Sequence, residues 1–224
     1  MPTDRMVYAW LLWLAPYAFE LALILAPLTV YLLYLGLDVN SRPRPVVWSG
    51  RRNVLLLAVG LSGFFLLGPP TWVFSKLQWY GPVHYAIGYG VYFLLVLLVL
   101  RSWLARQRYC LVLLNTPPAV IAEVLPKVIQ TWPGEAIVTP GRAVLGGGAL
   151  VLDVNVNERW HSAELRGQVT DPQLWAEFDE RLRVALSTHT TPRHGAGRAL
   201  SLLGAALAIL STQALMLFAW YRAN

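Results

Sequence analysis

The sequence is short of cysteine and of charge, and each shortage narrows the possible class of protein. Cys110 is the single cysteine, so an intramolecular disulfide framework is excluded and cysteine usage says little about the compartment. Charged residues make up 13% of the chain, about half of the ~25% typical of a soluble domain. The chain as a whole therefore does not read as an ordinary soluble protein.

Motifs for catalysis and for cofactor binding are also missing. The sequence contains no G-x-G-x-x-G and no G-x-S-x-G, and no Lys-Ser/Thr pair follows Gly146–Gly148, so this run favours a hairpin turn over a phosphate-binding loop. His161, His189 and His194 lack the spacing of a structural zinc site. No cofactor can be named from the sequence, no catalytic or metal-binding residue is predicted, and a non-catalytic role is favoured.

Long apolar runs hold most of the hydrophobic residues, which form 56% of the chain. Each run is close to or above the ~20 residues that a helix needs to cross the ~30 Å hydrocarbon core. We predict a polytopic α-helical membrane protein with four transmembrane helices, and a small α+β extramembrane domain inserted between helices 3 and 4. The runs cover residues 8–35, 53–74, 85–104 and 199–221, and the predicted domain limits are 1–106, 107–197 and 198–224.

The positive charge belongs to the membrane part of the chain. Residues 107–197 have eight Lys/Arg and nine Asp/Glu, whereas the remainder has ten basic residues and three acids. Because the insertion lacks the clustered basic face of a nucleic-acid-binding domain, we expect no nucleic-acid partner. The basic residues are expected to signal topology and to contact membrane lipids.

Arginines follow the first and third runs and precede the fourth, whereas the other loops have few. By the positive-inside rule, this distribution puts the insertion in the cytoplasm and the N-terminus outside, in a membrane of the bacterial inner-membrane type. The first residues are charge-balanced, and we expect no cleaved signal peptide. The arginines concerned are Arg42, Arg44, Arg51, Arg52, Arg101, Arg106, Arg108, Arg193 and Arg198.

Two features make a candidate intramembrane polar site. Glu20 is the only acid in the four runs, and an intramembrane carboxylate is costly enough to suggest a role in handling ions, protons or a ligand. Alternatively, Glu20 makes a structural hydrogen bond near the membrane interface, or it contacts another subunit. Tyr85, Tyr89 and Tyr92 share one helix face beside His84, either lining a polar crevice or forming a packing surface.

The fourth run has a row of small residues at four-residue spacing, Gly204, Ala208 and Thr212. Small side chains let two helix backbones approach closely in lipid, where association depends on van der Waals packing. We therefore predict a helix-association face here. This row of small residues does not indicate any catalytic or binding chemistry.

Hydrophobic period and turn residues predict a compact α+β fold for the insertion, with its helices on one face of a mostly antiparallel sheet. Leu174, Phe178 and Leu182 form an apolar stripe, which we expect to pack on the hairpin of residues 149–169. Strands are predicted at 109–114, 135–138, 142–145, 150–157 and 162–169, and helices up to about 130 and from about 172 to 187.

Three functions from different classes fit these features. The first is a non-catalytic accessory or assembly subunit of a larger membrane protein complex, docking through the α+β domain and helix 4. The second is a small transporter or channel component, with Glu20 and the Tyr85/Tyr89/Tyr92 row lining a path. The third, favoured least, is a membrane enzyme acting on a lipid or quinone, with His84 or His161 as base.

Overall fold

The computed structural model describes residues 15–41, 44–68, 81–132, 136–139, 141–191 and 195–223. This part of the chain is mostly helical, with three helices that could span a membrane and a small antiparallel sheet. Parts of the sequence interpretation fall outside it. They are the start of the first run, the end of the second run beyond Gly68, Arg42, Arg193 and His194.

The candidate spans are α1 (Ala18–Ser41), α4 (Pro82–Arg106) and α7 (Gly195–Ala223). With 24, 25 and 29 residues, each exceeds the ~30 Å hydrocarbon thickness at a rise of about 1.5 Å per residue. The mean hydropathy of their apolar windows is 2.0 to 2.1. Pro27 lies inside α1 without ending it. Three of the four apolar runs thus form long apolar helices, as the sequence predicts.

The second apolar run forms two shorter helices within the described residues, α2 (Gly50–Gly60) and α3 (Ser62–Leu67). The junction at Leu61 is a kink and not a loop, because hydrogen bonds cross it. The Leu61 amide donates to the Leu57 carbonyl at 2.9 Å, and the Phe65 amide donates to the Leu61 carbonyl at 3.2 Å. The described part of this run contains no helix as long as the other three.

Glycines bring the helical segments close to α1. A Cβ on Gly63 would overlap the main chain of Ile24, and one on Gly60 would lie 2.8 Å from the Tyr31 ring. These glycines therefore allow backbones to approach as small residues do at membrane helix contacts. Near the other end of α1, Ala18 and Ala22 form a small apolar cluster with Ala214 of α7.

Six strands form one sheet within the described residues, and every pairing is antiparallel. Their order across the sheet is β1-β2-β6-β5-β4-β3. Five of them, together with helices α5 (Pro118–Gln130) and α6 (Pro172–Ser187), confirm the elements predicted for the insertion. The strands are β1 (Val46–Ser49), β2 (Cys110–Leu114), β3 (Ala136–Thr139), β4 (Arg142–Leu145), β5 (Leu150–Asn157) and β6 (Ser162–Val169).

β1 is the strand that the sequence interpretation treated as a loop. It pairs with β2 in the register Val46↔Leu114 and Trp48↔Val112, so a segment that follows α1 completes a sheet otherwise built from the insertion. The chain accordingly forms two compact units. The helical unit comprises Met1–Leu35, Leu56–Leu100 and Ala199–Asn224, and the sheet unit comprises Gly36–Leu55 and Arg101–Arg198.

The core of the sheet unit lies between one sheet face and helices α5 and α6. Phe178 of α6 is completely buried there, with its ring centroid 5.9 Å from that of Trp175 and 6.5 Å from that of Trp132. Leu182 is buried beside it and Leu174 packs at the edge. The predicted packing of this stripe on the β5–β6 hairpin is confirmed, because Leu150, Leu152 and Leu165 belong to the same cluster.

Local chemistry explains two of the sharper features of the sheet unit. Asp171 caps α6 by accepting a hydrogen bond from the Gln173 amide at 2.9 Å, and Pro172 opens the first turn. Gly146–Gly148 forms a 3-10 turn in which all three φ angles are positive, at 58°, 62° and 98°. Only glycine adopts such angles readily, so this run shapes a turn, as the sequence predicts.

Candidate functional site

Glu20 lies in the first turn of α1, and its side chain is exposed. Within the described residues it makes no hydrogen bond or ion pair with His84 or with the tyrosines of α4. Its neighbour Phe19 stacks on Phe218 of α7, with ring centroids 5.2 Å apart. Glu20 therefore lies beside a helix–helix contact, close to one end of an apolar helix.

The tyrosines of the row make a chain of aromatic contacts with Phe93 along α4. The ring centroids of Tyr85 and Tyr89 are 4.8 Å apart, and those of Tyr89 and Phe93 are 5.9 Å apart. Tyr92 meets Phe93 edge-on at 5.5 Å. Each such pair adds about 0.5–1.5 kcal/mol beyond the area it buries. His84 is exposed in the first turn of the same helix, and no residue of α4 is buried within the chain.

The predicted association face of α7 is divided between two environments. Gly204 is buried against α1, since a Cβ there would lie 2.9 Å from Leu33 Cγ. Ala208 is half-buried, whereas Thr212 is exposed and its hydroxyl donates to the Ala208 carbonyl at 2.9 Å. Gly204 thus serves an intramolecular contact. Whether the remainder of the row meets another subunit stays a prediction.

A cavity of about 530 Å³ in the sheet unit gathers arginines from three separate parts of the sequence. We call it the arginine cavity. Its volume falls within the ~300–1,000 Å³ of typical small-molecule sites. It is lined by Asp38, Ser41, Arg44, Pro45, Val46, Val47, Trp48, Arg52, Arg183, Leu186 and Ser187.

Four elements position the lining of the arginine cavity. The last turn of α1 contributes Asp38, β1 contributes Trp48, the first turn of α2 contributes Arg52, and α6 contributes Arg183. The Arg52 guanidinium lies over the Trp48 ring, 5.1 Å from its centroid. A cation over an indole face is held by the ring quadrupole.

Arg183 is the most firmly fixed of the cavity arginines. Its Nε donates to Asp179 Oδ1 at 2.7 Å, and its Nη1 donates to the Val47 carbonyl at 2.9 Å. The first contact joins two residues four positions apart on α6, and a second such pair joins Arg181 to Glu177 at 2.6 Å. The contact with Val47 occupies a carbonyl of an edge strand, and it was not foreseen.

Cys110 is a structural thiol. It is buried, and its Sγ donates to Glu164 Oε1 at 3.3 Å, while Glu164 also accepts from Arg166 Nε at 2.8 Å. The pKa of the Cys110 thiol is raised to about 12. The larger cause is the loss of solvation on burial, and the second is the hydrogen bond to Glu164. A thiol that stays protonated is a poor nucleophile and a poor metal ligand.

Two of the histidines make contacts within the sheet unit. His189 Nε2 lies 3.6 Å from Glu123 Oε1, and the main-chain carbonyl of His161 accepts from the Thr116 amide at 2.7 Å. Among the described residues, no group of three or more His, Cys, Asp or Glu side chains is placed to hold a metal ion.

Comparison with models of protein families, with curated proteins and with solved structures found no match. Function is therefore argued from the chain's own geometry.

Proposed function

We propose that the protein is a non-catalytic accessory or assembly subunit of a larger membrane protein complex. The observation that carries this proposal is the exposure of α4, a 25-residue apolar helix in which no residue is fully buried and one face is half-buried. In lipid such a helix lacks a hydrophobic drive to associate, and its contacts depend on close packing. The exposed face of α4, which includes Val91, Leu94 and Leu98, is available to another subunit.

Gly90 supports a partner for α4. Gly60, Gly63 and Gly204 each face a closely packed helix, but a Cβ on Gly90 would meet nothing within 4 Å. A glycine inside a helix costs about 1 kcal/mol relative to alanine, so a glycine that its own chain does not need is explained by close approach of a helix from outside. The chain of aromatic contacts beside it provides a stiff packing surface.

The sheet unit supports a second docking surface at β3. This edge strand is exposed along its length, with Ile137 at 62% and Val138 at 53% of full exposure. An unpaired strand edge of this kind accepts a strand from another chain. We propose that the complex is held through the α+β domain at this edge, and through α7 and α4 in the membrane.

We further propose four membrane crossings, with the α+β domain between the third and fourth. β1 follows α1 and β2 follows α4, and the two strands pair directly, which supports placing both on one side of the membrane. The chain from β1 to β2 must then cross an even number of times. Since α4 supplies one crossing, the second apolar run, residues 53–74, supplies the other. The arginine distribution favours the cytoplasm of a bacterial-type cell for the sheet side.

Cysteine labelling tests this topology. In a Cys110→Ser background, Ser41→Cys and Ser162→Cys should resist an impermeant thiol reagent in intact cells, and Gln78→Cys should react. Protection of all three, or labelling of Ser162→Cys in intact cells, would overturn the arrangement. Permeabilised cells provide the control for reactivity of each site.

Photo-crosslinking along α4 tests the subunit proposal. A photoreactive amino acid placed in turn at Val91, Leu94, Leu95 and Leu98, which share one exposed helix face, should give adducts with another protein. An equivalent scan at Val184, an exposed site on α6, is the control. Crosslinks to lipid alone at every position of α4 would refute the proposal.

A small transporter or channel component is the second candidate, favoured by the charge of Glu20 and the aromatic row on α4. In the same crosslinking experiment, adducts of twice the 25.0 kDa chain mass and no others would favour this alternative. Glu20→Gln keeps size and hydrogen bonding but removes the charge, so it should abolish transport without affecting assembly.

A further inference from the structure

The arginine cavity has the charge and the hydrogen-bond donors of an anion site. Arg44, Arg52 and Arg183 line it against one carboxylate, that of Asp38. The two serine hydroxyls on its wall are committed to helix carbonyls, because Ser41 donates to Asp38 at 3.3 Å and Ser187 donates to Val184 at 2.7 Å. The guanidinium groups are therefore its charged donors. Counting Asp179, which pairs with Arg183, three arginines face two carboxylates.

Two of the three arginines are held in place before any ligand arrives. Arg183 is fixed by its contacts with Asp179 and Val47, and Arg52 rests on the buried indole of Trp48. Preorganised guanidinium groups lose less conformational entropy on binding. A planar guanidinium can bind phosphate oxygens with two parallel hydrogen bonds. In Arg183, Nε and Nη1 already donate to Asp179 and Val47, so Nη2 is its nitrogen left to donate to a ligand.

The remaining wall of the cavity is apolar. Pro45 contributes to it beside the arginines, and the nearly buried Val46 and Leu186 form its floor. A free inorganic anion gains little from such a surface, whereas the glycerol and upper acyl carbons of a phospholipid would be covered by it. Arginine donors beside an apolar surface therefore favour an amphiphilic phosphate ester as the ligand.

The position of the cavity residues at the end of α1 also favours a lipid as the ligand. α1 is apolar up to Leu37, and the next two residues on its last turn that line the cavity are Asp38 and Ser41. The end of a membrane-spanning helix lies at the level of the headgroup phosphates. Basic pockets at this level on the cytoplasmic side bind anionic headgroups.

We propose that the arginine cavity binds a phosphate ester, and that its source is the headgroup of an anionic glycerophospholipid. The phosphate lies among Arg44, Arg52 and Arg183, and the glycerol lies against the apolar wall. The site shares no residue with the docking surfaces proposed at α4 and at β3, and it rests on the proposed placement of the sheet unit on the cytoplasmic side of the membrane.

Three probes separate the possible sources. Binding to the purified protein in a neutral detergent is measured for dioctanoyl phosphatidylglycerol, for glycerol 3-phosphate and for dioctanoylglycerol, which lacks phosphate. We expect the phosphatidylglycerol to bind and the dioctanoylglycerol to bind at least tenfold more weakly. Glycerol 3-phosphate binding as tightly as the lipid would keep the phosphate site and overturn the lipid as its source. Binding of neither phosphate compound would overturn the whole proposal.

Variants test the location. Arg44→Gln, at an exposed position before β1, should weaken phosphatidylglycerol binding about tenfold, and Arg44→Lys should recover part of the loss. The matched control is Arg142→Gln on β4, an arginine that faces Asp153 at 3.8 Å and does not line the cavity. Because Arg44 makes no core contact, its variants should keep the wild-type unfolding midpoint. Equal losses in Arg44→Gln and Arg142→Gln would refute the location.

Discussion

Phe178→Ala gives the sharpest test of how the sheet unit is held together. Phe178 is completely buried and lies against Trp175 and Trp132. Truncating a buried phenylalanine to alanine costs about 3–5 kcal/mol, through lost transfer free energy and the cavity left behind. With a typical total stability of ~5–15 kcal/mol, this change alone removes a large share of it.

The assay is urea unfolding of the full chain in a mild detergent, followed by tryptophan fluorescence. The full chain is needed because a fragment beginning at residue 107 would lack β1 and leave β2 as an unpaired edge. At a slope of ~2 kcal/mol per molar urea, the midpoint should fall by about 1.5–2.5 M. The indoles of Trp132 and Trp175 lie next to the change, so the fluorescence reports on the site itself.

Val184→Ala is the matched control on the same helix. Val184 is 62% exposed, and a surface substitution of this kind usually changes stability by no more than about 0.5 kcal/mol. If Phe178→Ala lowered the midpoint no more than Val184→Ala does, the apolar stripe of α6 would not form the core of the sheet unit, and the packing argument would be wrong.

Three further predictions concern single sites. Gly204→Leu should lower the thermal stability of the helical unit, because its side chain has no room against α1, whereas Gly90→Leu should leave that stability unchanged and reduce recovery of the complex. Since burial and the hydrogen bond to Glu164 raise the pKa of the Cys110 thiol to about 12, its alkylation at pH 9 should be slow until the protein unfolds, and Glu164→Gln should lower that pKa and speed the reaction. If Glu20 is a structural hydrogen-bonding residue, Glu20→Gln should be nearly silent in assembly and Glu20→Leu should weaken it; full assembly with lost function in Glu20→Gln would favour a transport path.

Much of the insertion could be predicted because its signals are local. β5 and β6 alternate apolar and polar residues over eight positions each, and a period of two identifies a half-buried strand. α6 begins where the sequence places an acid, a proline and a glutamine, and the cap forms at Asp171. Such features depend on neighbouring residues, so no tertiary knowledge is needed to find them.

β1 was missed for the opposite reason. It has four residues, and its partner β2 lies more than sixty residues further along the chain. The arginines around β1 were interpreted as a topology signal, so the segment was treated as a loop and the strand was not predicted. A signal was present, because Val46, Val47 and Trp48 are strand-favouring residues bounded by Pro45 and Gly50.

The arginine cavity could not be predicted from sequence, because it depends on that missed strand. Pairing of β1 with β2 brings Arg44 and Arg52 to the sheet, and docking of α6 brings Arg183 to the Val47 carbonyl. The same arginines also serve as a topology signal. A topology signal and a phosphate site differ in how strictly they fix the position and type of each basic residue. A topology signal is a count of positive charges near the membrane and tolerates a shift by one residue or a change to lysine. A phosphate site requires donors at fixed positions, so exchanging Arg44 with its neighbour Pro45 should preserve topology and lose lipid binding.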